Sequence, residues 1–145
     1  MLCLALMNSR TPDVPAIAAA SGYDAVYVDL EHTSTSLETA AMLCASATGA
    51  GIWALVRVSS QEPSLIARVL DMGATGIIVP HVNSASEAQR VVAAARFPPV
   101  GHRSISGPNA LSGFAARTAT ELTEVLEART VVAVMVETPE AVRDA

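Results

Sequence analysis

Short apolar runs alternate along the chain with longer stretches in which apolar residues return every three or four positions. Leu2 to Met7 reads as a first strand. Thr11-Pro12-Asp13 reads as a helix start, with Thr11 as the cap, Pro12 at the first helical position and Asp13 facing the dipole. Val14, Ile17 and Ala18 continue that helix and Gly22 ends its turn. Ala25 to Asp29 is a second strand. Ser36 opens a helix in which Leu37, Ala40, Ala41, Cys44, Ala45 and Thr48 keep helical spacing until Gly49 and Gly51. Ile52 to Val56 is a third strand ending at Arg57. Pro63 then starts a helix with Leu65, Ile66, Val69 and Leu70 on its inner face, closed by Gly73. Gly76 to Val79 is a fourth strand, ended by Pro80.

Ser84 to Glu87 fits a capping box, and Ala88, Val91, Val92 and Ala95 form the apolar stripe behind it. Phe97 to Gly113 breaks the rhythm with three prolines and three glycines and reads as a long loop, functional or disordered. A helix over Thr120 to Ala128 turns Leu122, Val125 and Leu126 inward. Val131 to Val136 is a fifth strand ending at Glu137, and Thr138-Pro139-Glu140 starts a last helix.

Repeated βα units imply a parallel sheet with right-handed crossovers. An open doubly wound sheet and a (β/α)8 barrel both fit. No GxGxxG follows the first strand, which weakens a dinucleotide-binding sheet. A full barrel takes about 200 residues or more. Five strands are too few for one, so the barrel reading implies that the 145 residues are only part of it.

Composition narrows the function classes. The chain is 51% hydrophobic and 16% charged, which is globular rather than disordered. A net charge of −5 without a basic run argues against nucleic acid or an anionic membrane surface as partner. No run of about 18 apolar residues exists to span a membrane. The apolar start lacks a basic flank, so a cytoplasmic protein is expected. Cys3 and Cys44 lack any metal-type spacing and read as two buried free thiols.

The chemistry lies at the strand ends. The second strand ends in Asp29, with Glu31 and His32 just beyond; the third ends in Arg57, the fourth in Pro80-His81 and the fifth in Glu137. A parallel sheet brings all these ends to one face. Each residue also has a plain structural reading. Asp29 braces a loop or caps a helix, His32 is a solvated loop histidine, and Arg57 pairs with Glu31. Glu137 caps the helix at Thr138, and His81 is an ordinary loop residue. Taken together, polar groups at consecutive strand ends after apolar runs are costly to place without a use. A strand-end carboxylate without cysteines or clustered histidines suits a hard cation such as Mg²⁺ or Mn²⁺. Arg57 suits a developing oxyanion, and His32, oriented by Asp29, suits proton transfer. That set fits enolate formation from a 2-oxo acid.

Gly22-Tyr23-Asp24, Val28-Asp29-Leu30-Glu31-His32, Val56-Arg57-Val58, Leu70-Asp71-Met72-Gly73-Ala74, Ile78-Val79-Pro80, Arg96 to Arg103 and Val134-Met135-Val136-Glu137-Thr138 together resemble the HpcH/HpaI aldolase family. The resemblance implies that residues 1–145 are the N-terminal part of a single (β/α)8 aldolase domain, related to the phosphoenolpyruvate/pyruvate-type barrels. It implies a class II carbon–carbon lyase that cleaves a 4-hydroxy-2-oxo acid to pyruvate (or a related 2-oxo acid) and an aldehyde through a metal-bound enolate. The cofactor would be Mg²⁺, Mn²⁺ or Co²⁺, and the protein a homo-oligomer. By the same resemblance Glu137 matches a metal carboxylate, with the second ligand beyond Ala145. Arg57 matches the enolate-stabilising arginine, His32 the acid/base, Asp29 the carboxylate that orients it, and Glu31 the acidic neighbour near substrate and metal waters. Three features depart from the family pattern. Met135 stands where many aldolases carry a substrate-contacting Gln, Ser104 replaces a common Gly, and the family's N-terminal helix has no counterpart before the first strand. The alternative is a catalytically incomplete half-barrel or assembly module with unpaired first and fifth strands.

Overall fold

A computed structural model describes residues 1–144. Five strands, β1 (Cys3–Leu6), β2 (Ala25–Asp29), β3 (Trp53–Arg57), β4 (Gly76–Val79) and β5 (Val131–Val134), form one parallel sheet in chain order. Helices α1 (Asp13–Ala20), α2 (Leu37–Gly49), α3 (Pro63–Asp71), α4 (Ala85–Ala95) and α5 (Ala119–Ala128) connect or follow them, and α6 (Pro139–Asp144) comes last. A doubly wound sheet reverses its strand order at a switch point. This one never reverses, so it is the winding of a barrel, and β1 and β5 are its two edges.

Register decides what each face carries. Leu6, Val28, Val56, Ile77 and Val132 lie in one row across the strands and pack into the core beneath the helices. Leu43 and Cys44 of α2 and Ile66, Val69 and Leu70 of α3 fill the same core. The neighbouring row, Ala5, Tyr27, Leu55, Gly76 and Val131, faces the other way. At the sheet edges Ala5 and Val131 of that row are exposed. This second face is the one a closed barrel would fill with side chains. Cys3 belongs to it, on edge strand β1, and is exposed rather than buried as expected; Cys44 is buried. Pairs on this face are tight: a Cβ on Gly76 would meet Leu55 Cδ2 and the Val131 carbonyl oxygen, each at 2.9 Å.

Ser36 accepts from the Thr39 amide at 3.1 Å, as a cap should. Ser84 accepts from Glu87 N, but the Glu87 carboxylate reaches one residue further back, to the Asn83 amide at 2.7 Å, so the expected box is not closed. A reciprocal box forms instead at Thr118 and Glu121, which starts α5 one residue before Thr120. Thr11 makes no side-chain cap; α1 begins after Pro12, and only the Thr11 carbonyl takes part, accepting from Val14 N. The fifth strand stops at Val134 rather than Val136.

The stretch 97–113 is a long loop, as expected, and its side chains tie it to the rest of the fold. It includes a 3-10 turn at Ala110–Ser112. The Arg103 side chain is 1% exposed, bonds Asp71 Oδ1 at 2.7 Å and lies over the Phe97 ring. Asn109 donates to the Leu70 and Asp71 carbonyls at the end of α3. Phe97, Leu111, Leu122 and Leu126 form a second, smaller core that fixes α5.

Candidate active site

The C-terminal ends of β2 and β3 are in register, so Asp29 and Arg57 are direct neighbours on the helix-free face. Asp29 is fully buried and accepts from Arg57 Nε at 2.9 Å and Nη2 at 2.7 Å. This fork geometry is the strong form of a carboxylate–guanidinium pair. Asp29 also accepts the Glu31 amide at 2.9 Å. The Arg57 hydrogen bonds, helped by the Glu31 and His32 amides and opposed by burial, hold the Asp29 carboxyl below the usual carboxylate range. The same bond to Asp29 raises Arg57. Burial pushes the nearby Tyr27 phenol up, and its ring lies 5.7 Å beneath the guanidinium carbon.

Asp29 therefore clamps Arg57 and braces the loop after β2. The expected contact from Asp29 to the His32 ring is not made: the Asp29 carboxylate binds Arg57 and the main chain, and the ring lies against Glu31 instead. Thr33 completes the brace by donating to the Asp29 carbonyl.

Glu31 is the hub of the cluster. Its side chain is only 10% exposed. Oε2 lies 3.2 Å from Arg57 Nη1 and 3.6 Å from His32 Nε2, and Oε1 meets His81 Nε2 at 2.9 Å. The His32 ring is open to solvent, with Glu31 as its acidic neighbour. Glu137, beyond the end of β5, accepts the His81 amide at 2.9 Å on Oε2, which also lies 3.4 Å from His81 Nδ1.

All five candidate residues thus converge on one end of the sheet, and His81 joins them. His81, expected as an ordinary loop residue, lies between Glu31 and Glu137. The only signal for it in the chain was its place directly after Pro80 at a strand end.

The donors suit a hard divalent cation in kind, with carboxylate oxygens from Glu137 and Glu31 at the open end of the strands. They fall short in number: among the described residues no three acidic, histidine or cysteine groups are arranged to hold an ion. No described helix is long and apolar enough to cross a membrane.

Residues 3–145 match the family model for HpcH/HpaI aldolase/citrate lyase. The chain is 35% identical over 136 residues to a 4-hydroxy-4-methyl-2-oxoglutarate aldolase of Hapsidospora irregularis, covering 92% of this chain and 50% of that protein. It is 38% identical over 100 residues to a 4-hydroxy-2-oxovalerate aldolase of Novosphingobium aromaticivorans, covering 68% of this chain and 38% of that one. The crystal structure of an HpcH/HpaI aldolase from Desulfitobacterium hafniense DCB-2 superposes with a TM-score of 0.90 at 29% identity, over 99% of this chain and 55% of that chain. The chain spans about half the length of the relatives it matches.

Proposed function

The chain belongs to the HpcH/HpaI aldolase/citrate lyase family, and from that premise we propose that the protein is a class II, divalent-metal-dependent aldolase. It would cleave a 4-hydroxy-2-oxo acid to pyruvate, or a related 2-oxo acid, and an aldehyde. The observation that carries this reading is the Glu31 hub, which gathers Arg57, His32 and His81 at the strand ends beside Glu137.

Glu137 would hold the cation, with its second ligand supplied from beyond Ala145. When bound, such an ion draws electron density from the carbonyl of a 2-oxo acid. Arg57, locked by its fork to Asp29, points Nη1 toward Glu31 and offers a fixed positive charge to the oxygen that becomes the enolate. His32 takes the proton of the C4 hydroxyl as the C3–C4 bond breaks. The electron pair of that bond passes into the C2–C3 unit, and the C4 oxygen becomes the aldehyde carbonyl. A proton returned to C3 completes pyruvate. Glu31, rather than Asp29, is the acidic group facing the His32 ring. We place the protein in the cytoplasm as a homo-oligomer acting on small molecules.

The test is pyruvate release from 4-hydroxy-2-oxovalerate and 4-hydroxy-4-methyl-2-oxoglutarate by the whole polypeptide that carries this chain. Release with Mn²⁺, Mg²⁺ or Co²⁺ and its loss in EDTA support the reading; no release with any of the three refutes it. A second reading is favoured by the open edges of β1 and β5: residues 1–145 alone form a non-catalytic half-barrel or assembly module. Metal-dependent cleavage by the isolated chain as a monomer rules that out.

A further inference from the structure

We infer that His81 is a positioning residue whose main chain holds Glu137 and whose ring holds Glu31. Its relevance to catalysis rests on the function proposed above. His81 adopts φ +56°, the left-handed region that a residue with a Cβ seldom occupies. The conformation is held from several sides. Its amide donates to Glu137 Oε2 at 2.9 Å, and its carbonyl accepts from Gln61 Nε2 at 2.8 Å and Asn83 Nδ2 at 3.0 Å. Its ring reaches Glu31 Oε1 at 2.9 Å and lies 3.4 Å from Glu137. One residue thereby ties together the segments that follow β2, β3, β4 and β5. Backbone strain kept in place by so many partners at a strand end marks a built feature.

The two halves of the role are separable. The left-handed turn aims the His81 carbonyl at Gln61 and Asn83 and the ring at Glu31, while the amide contact to Glu137 is a main-chain bond that does not need the ring. The ring contact occupies Oε1 of Glu31 and leaves Oε2 to Arg57 and His32. Removing the ring would free Glu31 and, through it, loosen the acidic neighbour of His32.

The experiment substitutes residue 81 in the whole polypeptide with Gly, Asn and Ala. Glycine accepts the left-handed backbone freely and Asn tolerates it, whereas Ala is sterically disfavoured there. His81→Gly should keep slow amide exchange at residue 81 and keep Mn²⁺ affinity by calorimetry close to that of the unchanged protein. His81→Ala, which strains the same backbone without the ring contact that helps to hold it, should show faster amide exchange than His81→Gly and weaken Mn²⁺ binding by up to about 10-fold, the lower end of the range for lost partners of metal ligands. Ring loss should show in kcat: His81→Gly lowers it by at least tenfold with KM for the 2-oxo acid kept, and His81→Asn, with a side-chain donor, recovers part of it. Equal amide protection in the Gly and Ala variants overturns the main-chain role. Unchanged kcat in an active His81→Gly enzyme overturns the ring role. If the unchanged protein binds no Mn²⁺ and releases no pyruvate, the proposed function falls. The main-chain role is still decided by amide exchange, with faster exchange in Ala than in Gly supporting it.

Discussion

Asp29→Ala is the substitution that most directly probes how the site is held. It removes both bonds to the Arg57 fork and the acceptor for the Glu31 amide. Taking away one member of a buried charge pair costs about 3–5 kcal/mol, because the other charge stays desolvated. Here Arg57 keeps Glu31 at 3.2 Å and is 12% exposed, which puts the cost at the low end of that range, about 3 kcal/mol. With a urea slope of about 2 kcal/mol per M, the midpoint should fall by roughly 1.5 M. The single tryptophan, Trp53 at the start of β3, reports the transition by fluorescence. Pairing with Arg57→Ala in a double-mutant cycle isolates the contact, and a coupling energy of about 1–3 kcal/mol is expected. An Asp29→Ala cost below about 1 kcal/mol, or additive single effects, would show that the fork does not hold the strand ends together.

Acid stability offers a second check. Arg57 lowers the folded-state Asp29 carboxyl, so its contribution is complete above about pH 4, where a free carboxyl ionises, and is lost as the pH falls through the lower folded value. Asp29→Asn should lower stability at neutral pH and flatten the acid limb; an unchanged acid limb contradicts this. The Cys44 thiol is pushed up to about 12 by burial while Cys3 is exposed. Ellman's reagent at pH 8 should therefore react with one thiol of the isolated 145-residue chain in its native state and with two in denaturant, and two reactive thiols in the native state would refute that placement. Gly76→Ala should cost about 1–3 kcal/mol through overpacking against Leu55 and the Val131 carbonyl, and a melting temperature unchanged from that of the unsubstituted protein would argue against the β3–β4–β5 register.

Much of the fold lay open in the chain because each element carries its own local signal. Gly22, Gly51 and Gly73, expected to end helices, all have positive φ, as a helix exit in this form requires. Repeating βα units and the polar residue at each strand end placed the site on one face. What stayed hidden depends on register and on distant partners. Nothing local says that Asp29 lies beside Arg57; only the β2–β3 pairing does. His81 carries no sign of its left-handed backbone, which is set by Glu137 and Gln61, each at least twenty positions away. The stretch 97–113 has loop composition, yet Asp71 and Glu127 order it by binding Arg103, Arg96 and the Phe97 amide. Cys3 looked like a core residue because its neighbours are apolar, but the face it occupies is uncovered in this half-barrel.

The central claim is that these strand ends form an enolising site. Exchange of the pyruvate methyl protons for deuterium, followed by proton NMR in D₂O, tests it without knowledge of the aldehyde. Exchange by the whole polypeptide is expected with Mn²⁺, Mg²⁺ or Co²⁺, abolished by EDTA and strongly slowed by Arg57→Ala. Exchange no faster than in buffer with all three metals, from folded protein, would contradict it.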